Sequence, residues 1–469
     1  MVEFSKHIGG MTTSGISVTD IGNKSTIGGL ARDFYRRVGK HYEKKESFTF
    51  EPHIASKVFE EWLQKYHIKL YLEHQLDRVV KKNGAIHEIK MKNGRTFKAK
   101  IFIDATYEGD LMTKAGVSFT VGREDNSIYN EKFNGIHFQN THHSFKKPID
   151  PYFEAGKPRS GLLPGISTLS QGVSGQGDTL IQAYNFRLCL TRNAKKLCPF
   201  TKPREYNPQR YLLLSRYINS GIFDIFGFTR KIPDNKYDFN SWGAVSPDNI
   251  GTNYNWPDAD YMQREYIFQD HLSFQMGFFW YLSTDSSIPS AIRKKSQEWG
   301  LASDEFENTG NWPPLLYIRE SRRMISDYVV TEHDAFEPRN LKDPVALASY
   351  RLDSHICKRI VKNGIVVNEG DVEAKPKRPF QLPYRIIRPK RDECKNLLVP
   401  AAISASHIAY GAIRTEPVFM MTGQAAGAAA SLAIYKNNVV QDISYSDLEK
   451  SLRNYGQVLE YSRFGLFSL

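Results

Sequence analysis

The chain has 469 residues, 41% of them hydrophobic and 24% charged, with a net charge of +12 and a pI near 9.2. That length predicts two or three domains, and the composition is that of a globular chain, not a disordered or fibrous one. The positive charge is diffuse, in short clusters such as Lys81-Lys82 and Lys294-Lys295; it predicts no nucleic-acid stripe and suits anionic small substrates or acidic polysaccharides better. Val2 to Gly15 opens with Glu3 at a strand end, followed by Gly9-Gly10 and the hydroxyls Thr12, Thr13 and Ser14. In a dinucleotide-binding fold an acid so placed takes a ribose hydroxyl pair, and small residues beyond it let the backbone face a pyrophosphate or flavin edge. Alone, the pattern is also that of an ordinary turn. Helices are predicted over 27–42 and 53–66, the second with Ile54, Val58, Trp62 and Leu63 at helical spacing.

Residues 69–100 read as a β-meander, with Asn83-Gly84 and Asn93-Gly94 as hairpin turns. An apolar strand, Ile101 to Ile103, then runs into Asp104-Ala105-Thr106, and Gly109-Asp110 opens a helix. Between 126 and 379 aromatics are dense, Pro and Asn punctuate, and a long aromatic helix is predicted over 262–283. Arg319, Arg322 and Arg323 fall on a predicted helix, where they share a face as an exposed surface or as a substrate-anion or interdomain contact. Asp353-Ser354-His355 lacks a nucleophile elbow and is not read as a hydrolase triad. His142-His143 and the scattered acids lack metal-ligand spacing, so no metal is implied. Cys189, Cys198, Cys357 and Cys394 show no Cys-x-x-Cys pair and read as free thiols. No run approaches the roughly 20 apolar residues of a membrane helix, so no membrane span is expected.

The most informative segment is Asn396 to Ile434. A short apolar strand (Leu397 to Val399) leads to a small-residue loop with Ser404, Ser406, His407 and Arg414. A helix follows that includes Gly423, Gln424, Ala425, Ala426 and Gly427. Such a helix lets its backbone approach another body, and its N-terminus suits a phosphate, a carboxylate or an electron-rich ring. A final helix is predicted over 447–454.

Together the Glu3–Ser14, Ala99–Gly116 and Asn396–Ile434 segments resemble the FAD-dependent oxidoreductases of the glutathione-reductase-like superfamily. They resemble more narrowly the bacterial family called FAD-dependent oxidoreductase, some of whose members carry a xanthan lyase label. The likeness extends over 50–63, 184–191, 316–334, 349–355 and 382–390, nearly the whole chain. It implies an α/β fold. A discontinuous Rossmann-like FAD-binding domain with a β-meander (1–125 and 380–469) would enclose an inserted, mixed, mostly helical cap (126–379). It also implies that Glu3, Gly9, Gly10, Thr12–Ser14, Asp104–Thr106, Gly109, Asp110 and Gly423–Gly427 meet the FAD, with Val79 added by analogy as an adenine contact.

The expected chemistry is flavin-mediated hydride transfer from a small or carbohydrate-derived substrate. His407 is the candidate base, Arg414 the group holding a substrate carboxylate or the reduced ring, and Arg319 and Arg322 are further catalytic candidates. The family also begins with a strand, a Gly-x-Gly-x-x-Gly turn and a helix upstream of the acid, whereas Met1 stands two residues before Glu3. FAD binding by this chain is therefore expected to be weakened. The alternative reading is a flavin-free relative acting as a binding or scaffold protein. Substrate, electron acceptor, oligomeric state and compartment are not encoded legibly.

Overall fold

The computed structural model describes residues 1–139 and 141–461. The last eight residues of the expected 380–469 segment lie outside them. Val2 pairs in parallel with Tyr71, the Glu3 N–H donating to the Tyr71 carbonyl at 2.8 Å. The two predicted N-terminal helices form as Gly29–His41 and Pro52–Lys65. Pro52 starts the second, where its missing N–H costs nothing. Their inner faces bury Ala31, Phe34, Tyr35 and Val38 against Ala55 and Val58, and Phe34 sits edge-on to Tyr35 with ring centroids 5.1 Å apart. Each large side chain so buried contributes about 1.5–3 kcal/mol.

The meander comprises Leu76–Lys82, Ala85–Met91 and Thr96–Phe97, all antiparallel. Asn83 and Gly84 both take positive φ, 52° and 77°, the backbone that a tight hairpin turn demands and that Asn and Gly tolerate. Phe102–Ile103 leaves the meander and pairs in parallel with Leu397–Leu398. Segments almost 300 residues apart (397 against 102) thus lie side by side.

The middle of the chain differs from expectation. The long aromatic helix is present as Tyr261–Thr284, closed at its start by a reciprocal Asp260–Gln263 cap. The region is not mostly helical, however. A five-stranded antiparallel sheet runs beside it, in the order Leu197–Cys198, Gly300–Ala302, Leu188–Thr191, Lys236–Phe239, Thr229–Ile232. Its strands are two to four residues long, and Leu188–Thr191 is buried at every position, so no polar alternation announces it. The predicted helix at 319–323 is absent as well. The segment is extended, and Arg323–Met324 pairs with Phe119–Thr120, tertiary pairing overriding helix propensity.

The C-terminal loop-and-helix resolves into two helices, His407–Ile413 and Glu416–Lys436, so His407 begins a helix and does not sit on a loop. Glu416–Lys436 is long and apolar enough to cross a membrane by length and composition, which corrects the reading that no run approaches that length. Its Ala and Gly residues count as apolar without looking like a Leu/Ile span. Here one face of the helix is buried, packed on Gly29–His41 and on the strand Pro344–Ala348.

Two main cores result. One joins the N-terminal helices, the C-terminal helices and side chains from Val330 to Ile387; the other gathers Ile149 to Ile318 with Val366.

Candidate active site at the meeting of the two chain ends

Gly9 and Gly10 take φ of 92° and 57° and open a 3-10 turn, Gly10–Thr13. A Cβ on Gly10 would meet the Tyr107 hydroxyl at 2.5 Å. That hydroxyl accepts from the Met11 N–H (3.0 Å), and the Tyr107 ring lies 5.8 Å from Phe419 in the first turns of Glu416–Lys436. On the other side, the Leu30 N–H donates to Gln424 Oε1 at 2.6 Å. The Gly-Gly turn, the 104–110 turn and the C-terminal helix therefore converge.

Within this convergence the candidate residues divide. Glu3 Oε1 accepts from the N–H and hydroxyl of Ser5, and its other oxygen carries no hydrogen bond among the described residues. Thr12 is buried, Thr13 donates to the Ile8 carbonyl at 2.6 Å, and the buried Ser14 hydroxyl has no partner. Gly423 and Gly427 face open space, with nothing within 4 Å of where a Cβ would stand, whereas Ala425 and Ala426 are buried on the opposite side. Val79 lies mid-strand opposite Ile89. Asp104 is spent internally: it accepts from the N–H and hydroxyl of Thr106 and from the Met112 N–H, shaping the turn in which Gly109 adopts φ 66°. Ala105 is exposed. Asp110 is clasped by Arg264 (2.6 and 2.9 Å) and Arg322 (2.9 Å), which hold it charged, below the usual carboxylate range, despite its burial.

The four catalytic candidates do not form one cluster of free groups. Both ring nitrogens of His407 are occupied, Nδ1 by Glu320 at 2.7 Å and Nε2 by the Ser354 hydroxyl at 3.0 Å, all three residues being buried. Arg322 turns to Asp110 and the Glu108 carbonyl. Arg414 and Arg319 do meet, at Tyr317. The Arg414 guanidinium donates to the Tyr317 hydroxyl (2.8 Å) and to Asp353 Oδ2 (3.0 Å). Arg319 lies over the Tyr317 ring, 4.7 Å from its centroid, and pairs with Asp248 at 3.1 Å.

Sequence reasoning missed the remaining members of this cluster. Arg187 also faces Tyr317, at 5.7 Å, and is held by Asp238. His355 stands between Asp248 (3.7 Å) and Asp353 (3.9 Å). Burial and the Arg319 charge push its imidazole down to about 3, so it is neutral. His355 Nδ1, Asp248 Oδ2, Arg319 Nε and Arg414 Nε are buried without hydrogen-bond partners. Alternation at the end of the strand Leu352–Ser354 accounts for the split of Asp353-Ser354-His355: Asp353 and the residue just past the strand, His355, lie on the Tyr317 side, and Ser354 faces His407. A period-2 reading of that tripeptide was the available signal. Tyr317 also packs with Met11 and Ile16, which ties the cluster to the Gly-Gly loop.

Among the described residues, one cluster has the composition of a metal site, Glu51, His53 and Glu305. Its centre is already cationic, for Lys236 Nζ lies 2.7 Å from both Glu51 and Glu305.

The family described as FAD dependent oxidoreductase matches residues 1–452, and the chain belongs to it: an oxidoreductase of a family that binds FAD. No curated protein and no solved structure matches the chain. The residues fit the cofactor in chemistry and open surface. The Ser14 hydroxyl and the Gln424 amide nitrogen are buried and unpartnered, and the Gly423/Gly427 face is uncovered. A cavity of about 180 Å³ lies apart from them, at Asp110 and Arg264.

Proposed function

We propose that this oxidoreductase removes a hydride from a small, hydroxyl-bearing or carbohydrate-derived substrate held beside Tyr317. The body binding FAD comprises 1–125 and 380–469, and the substrate region lies within 126–379. Bound FAD supplies the two-electron acceptor. Glu3, Ser14, Gly423 and Gly427 are the contacts we assign to it, on the two chain ends that Tyr107 bridges.

The observation that carries the reading is the cluster of unpartnered buried polar atoms around Tyr317, His355, Arg319 and Arg414. Buried polar groups are normally hydrogen-bonded, so a set of donors and acceptors left open together suits a polar ligand. Three guanidiniums, each paired with its own carboxylate, leave the cluster close to neutral, which favours hydroxyls over a highly charged substrate. His355 Nδ1 takes the hydroxyl proton as the C–H electron pair departs, and Asp248 and Asp353 stabilise the imidazolium that forms. Arg414, anchored on Tyr317, fixes the substrate oxygen. His407, with both nitrogens engaged, positions the Ser354 strand and is not the base.

Anaerobic mixing of FAD-loaded protein with a panel of aldoses, polyols and uronates tests this, followed through the visible flavin bands. A substrate should bleach them, and His355→Gln should slow the bleaching by about 10²–10⁴-fold while FAD affinity stays unchanged. Bleaching at an unaltered rate in His355→Gln would remove His355 from the chemistry.

A further inference from the structure

We propose that the cleft between the β-meander and the Tyr261–Thr284 helix binds a small oxyanion, a carboxylate or phosphate group, on the guanidinium of Arg322. This does not rest on the flavin reading.

The cleft is the cavity of about 180 Å³ lined by Leu76, Lys92, Asp110, Tyr261, Arg264 and Arg322, among others. It has room for several water molecules, and so for a small oxyanion. Two buried arginines reach it, and their hydrogen-bonding states differ. All three nitrogens of Arg264 are engaged, by Asp110 and by the carbonyls of Trp256 (3.1 Å) and Pro257 (3.3 Å). Arg322 uses only Nη1, toward Asp110 Oδ1 and the Glu108 carbonyl. Its Nε is buried without a partner, and its Nη2 makes no hydrogen bond among the described residues. Nε–H and Nη2–H share one edge of the guanidinium, the fork that receives a carboxylate or phosphate side-on.

Only Asp258 addresses that edge. It lies 3.7 Å from Nη2, beyond hydrogen-bond reach, and its side chain is 84% exposed. It can swing into water at little cost. The buried charges decide the sign of the site: Arg264 and Arg322 share the single carboxylate of Asp110, while burial pushes neighbouring Glu108 toward its neutral form. Of the rim acids, Asp260 is committed to the Gln263 N–H as a helix cap, and Asp77 is exposed. Lys92 adds a cation over the Tyr261 ring at 5.4 Å. An incoming oxyanion would take the free Arg322 edge and replace Asp258.

Isothermal titration of the full chain with inorganic phosphate and, separately, with succinate tests the proposal, using the native chain, Asp258→Asn and Arg322→Lys. Saturable binding of at least one probe is expected. Asp258→Asn should tighten it by about threefold or more, by removing the competing carboxylate. Arg322→Lys, which keeps the charge and loses the fork, should weaken it by about tenfold. Binding of phosphate alone assigns a phosphate ligand, and binding of succinate alone a carboxylate. No saturable binding of either probe to the native chain or to Asp258→Asn would overturn the proposal, as would an affinity indifferent to Asp258→Asn. Because Asp258 is on the surface, its variant decides the matter even where Arg322→Lys does not fold.

Discussion

Glu416 is the first residue of the Glu416–Lys436 helix, and its carboxylate reaches the backbone of Asp20. A carboxylate at a helix N-terminus is normally favoured by the dipole. Here burial and the nearby Asp20 carboxylate outweigh that and push Glu416 up to about 8. The folded protein keeps this proton over a range in which the unfolded chain, near 4.5, has released it. The folded state thus binds more protons, and stability falls as pH rises through that window. Glu416→Gln should abolish this slope, leaving melting temperatures at about pH 5 and about pH 9 closer together than in the native protein. An unchanged slope would place the titration elsewhere.

Arg414 answers to a different rule. It compensates buried Asp353, so Arg414→Met should cost about 3–5 kcal/mol in denaturant unfolding. Adding Asp353→Asn should recover part of that loss. At this scale the sequence identified Arg414 and Arg319 as functional candidates but placed the base on His407. Which of its neighbours already occupy a ring nitrogen depends on Glu320 and Ser354, 87 and 53 residues away. No local pattern records that.

Two helices carry the site, and their glycines serve opposite purposes. Gly411, in His407–Ile413, lies against the Asp353 backbone, where a Cβ would collide with the Asp353 carbonyl and amide. Gly411→Ala should therefore push helix and strand apart and destabilise by about 1–3 kcal/mol, read from the unfolding midpoint. Gly427 faces open space. Gly427→Ala should be neutral or stabilise by up to about 1 kcal/mol through helix propensity, measured in the same way.

Elements with a strong local cause were legible. The Asn-Gly hairpins, the two N-terminal helices and the long aromatic helix stand within a few residues of their predicted places. The five-stranded sheet was not, because strands of two to four residues are too short to show a periodicity, and two of them are buried at every position. The Arg319–Arg323 helix failed for the converse reason: its local propensity is helical, but Phe119–Thr120 claims it as a strand partner.

Across the whole molecule, the decisive feature is that segments near the two ends of the chain, 27–103 and 397–459, share one core and one parallel strand pair. The sequence disclosed this through spaced motifs at both ends, whose meaning depends on their combination. It did not disclose the Tyr317 cluster, which draws on residues from Arg187 to Arg414 and whose one local trace is the alternation of Asp353 and His355. Membership of the FAD-binding family then gives the convergence a purpose. The open Gly423/Gly427 face and the free oxygen of Glu3 are the two ends of a single proposed cofactor contact.

The most direct test is a titration of the chain with FAD, followed by flavin fluorescence, alongside Glu3→Lys and Gly427→Phe. Both substitutions fall on accessible positions at opposite ends of the sequence. Each should weaken FAD binding by about tenfold or more while leaving the melting temperature of the unliganded protein unchanged. FAD affinity that is indifferent to both, or lowered by only one of them, would contradict a single cofactor spanning the two ends.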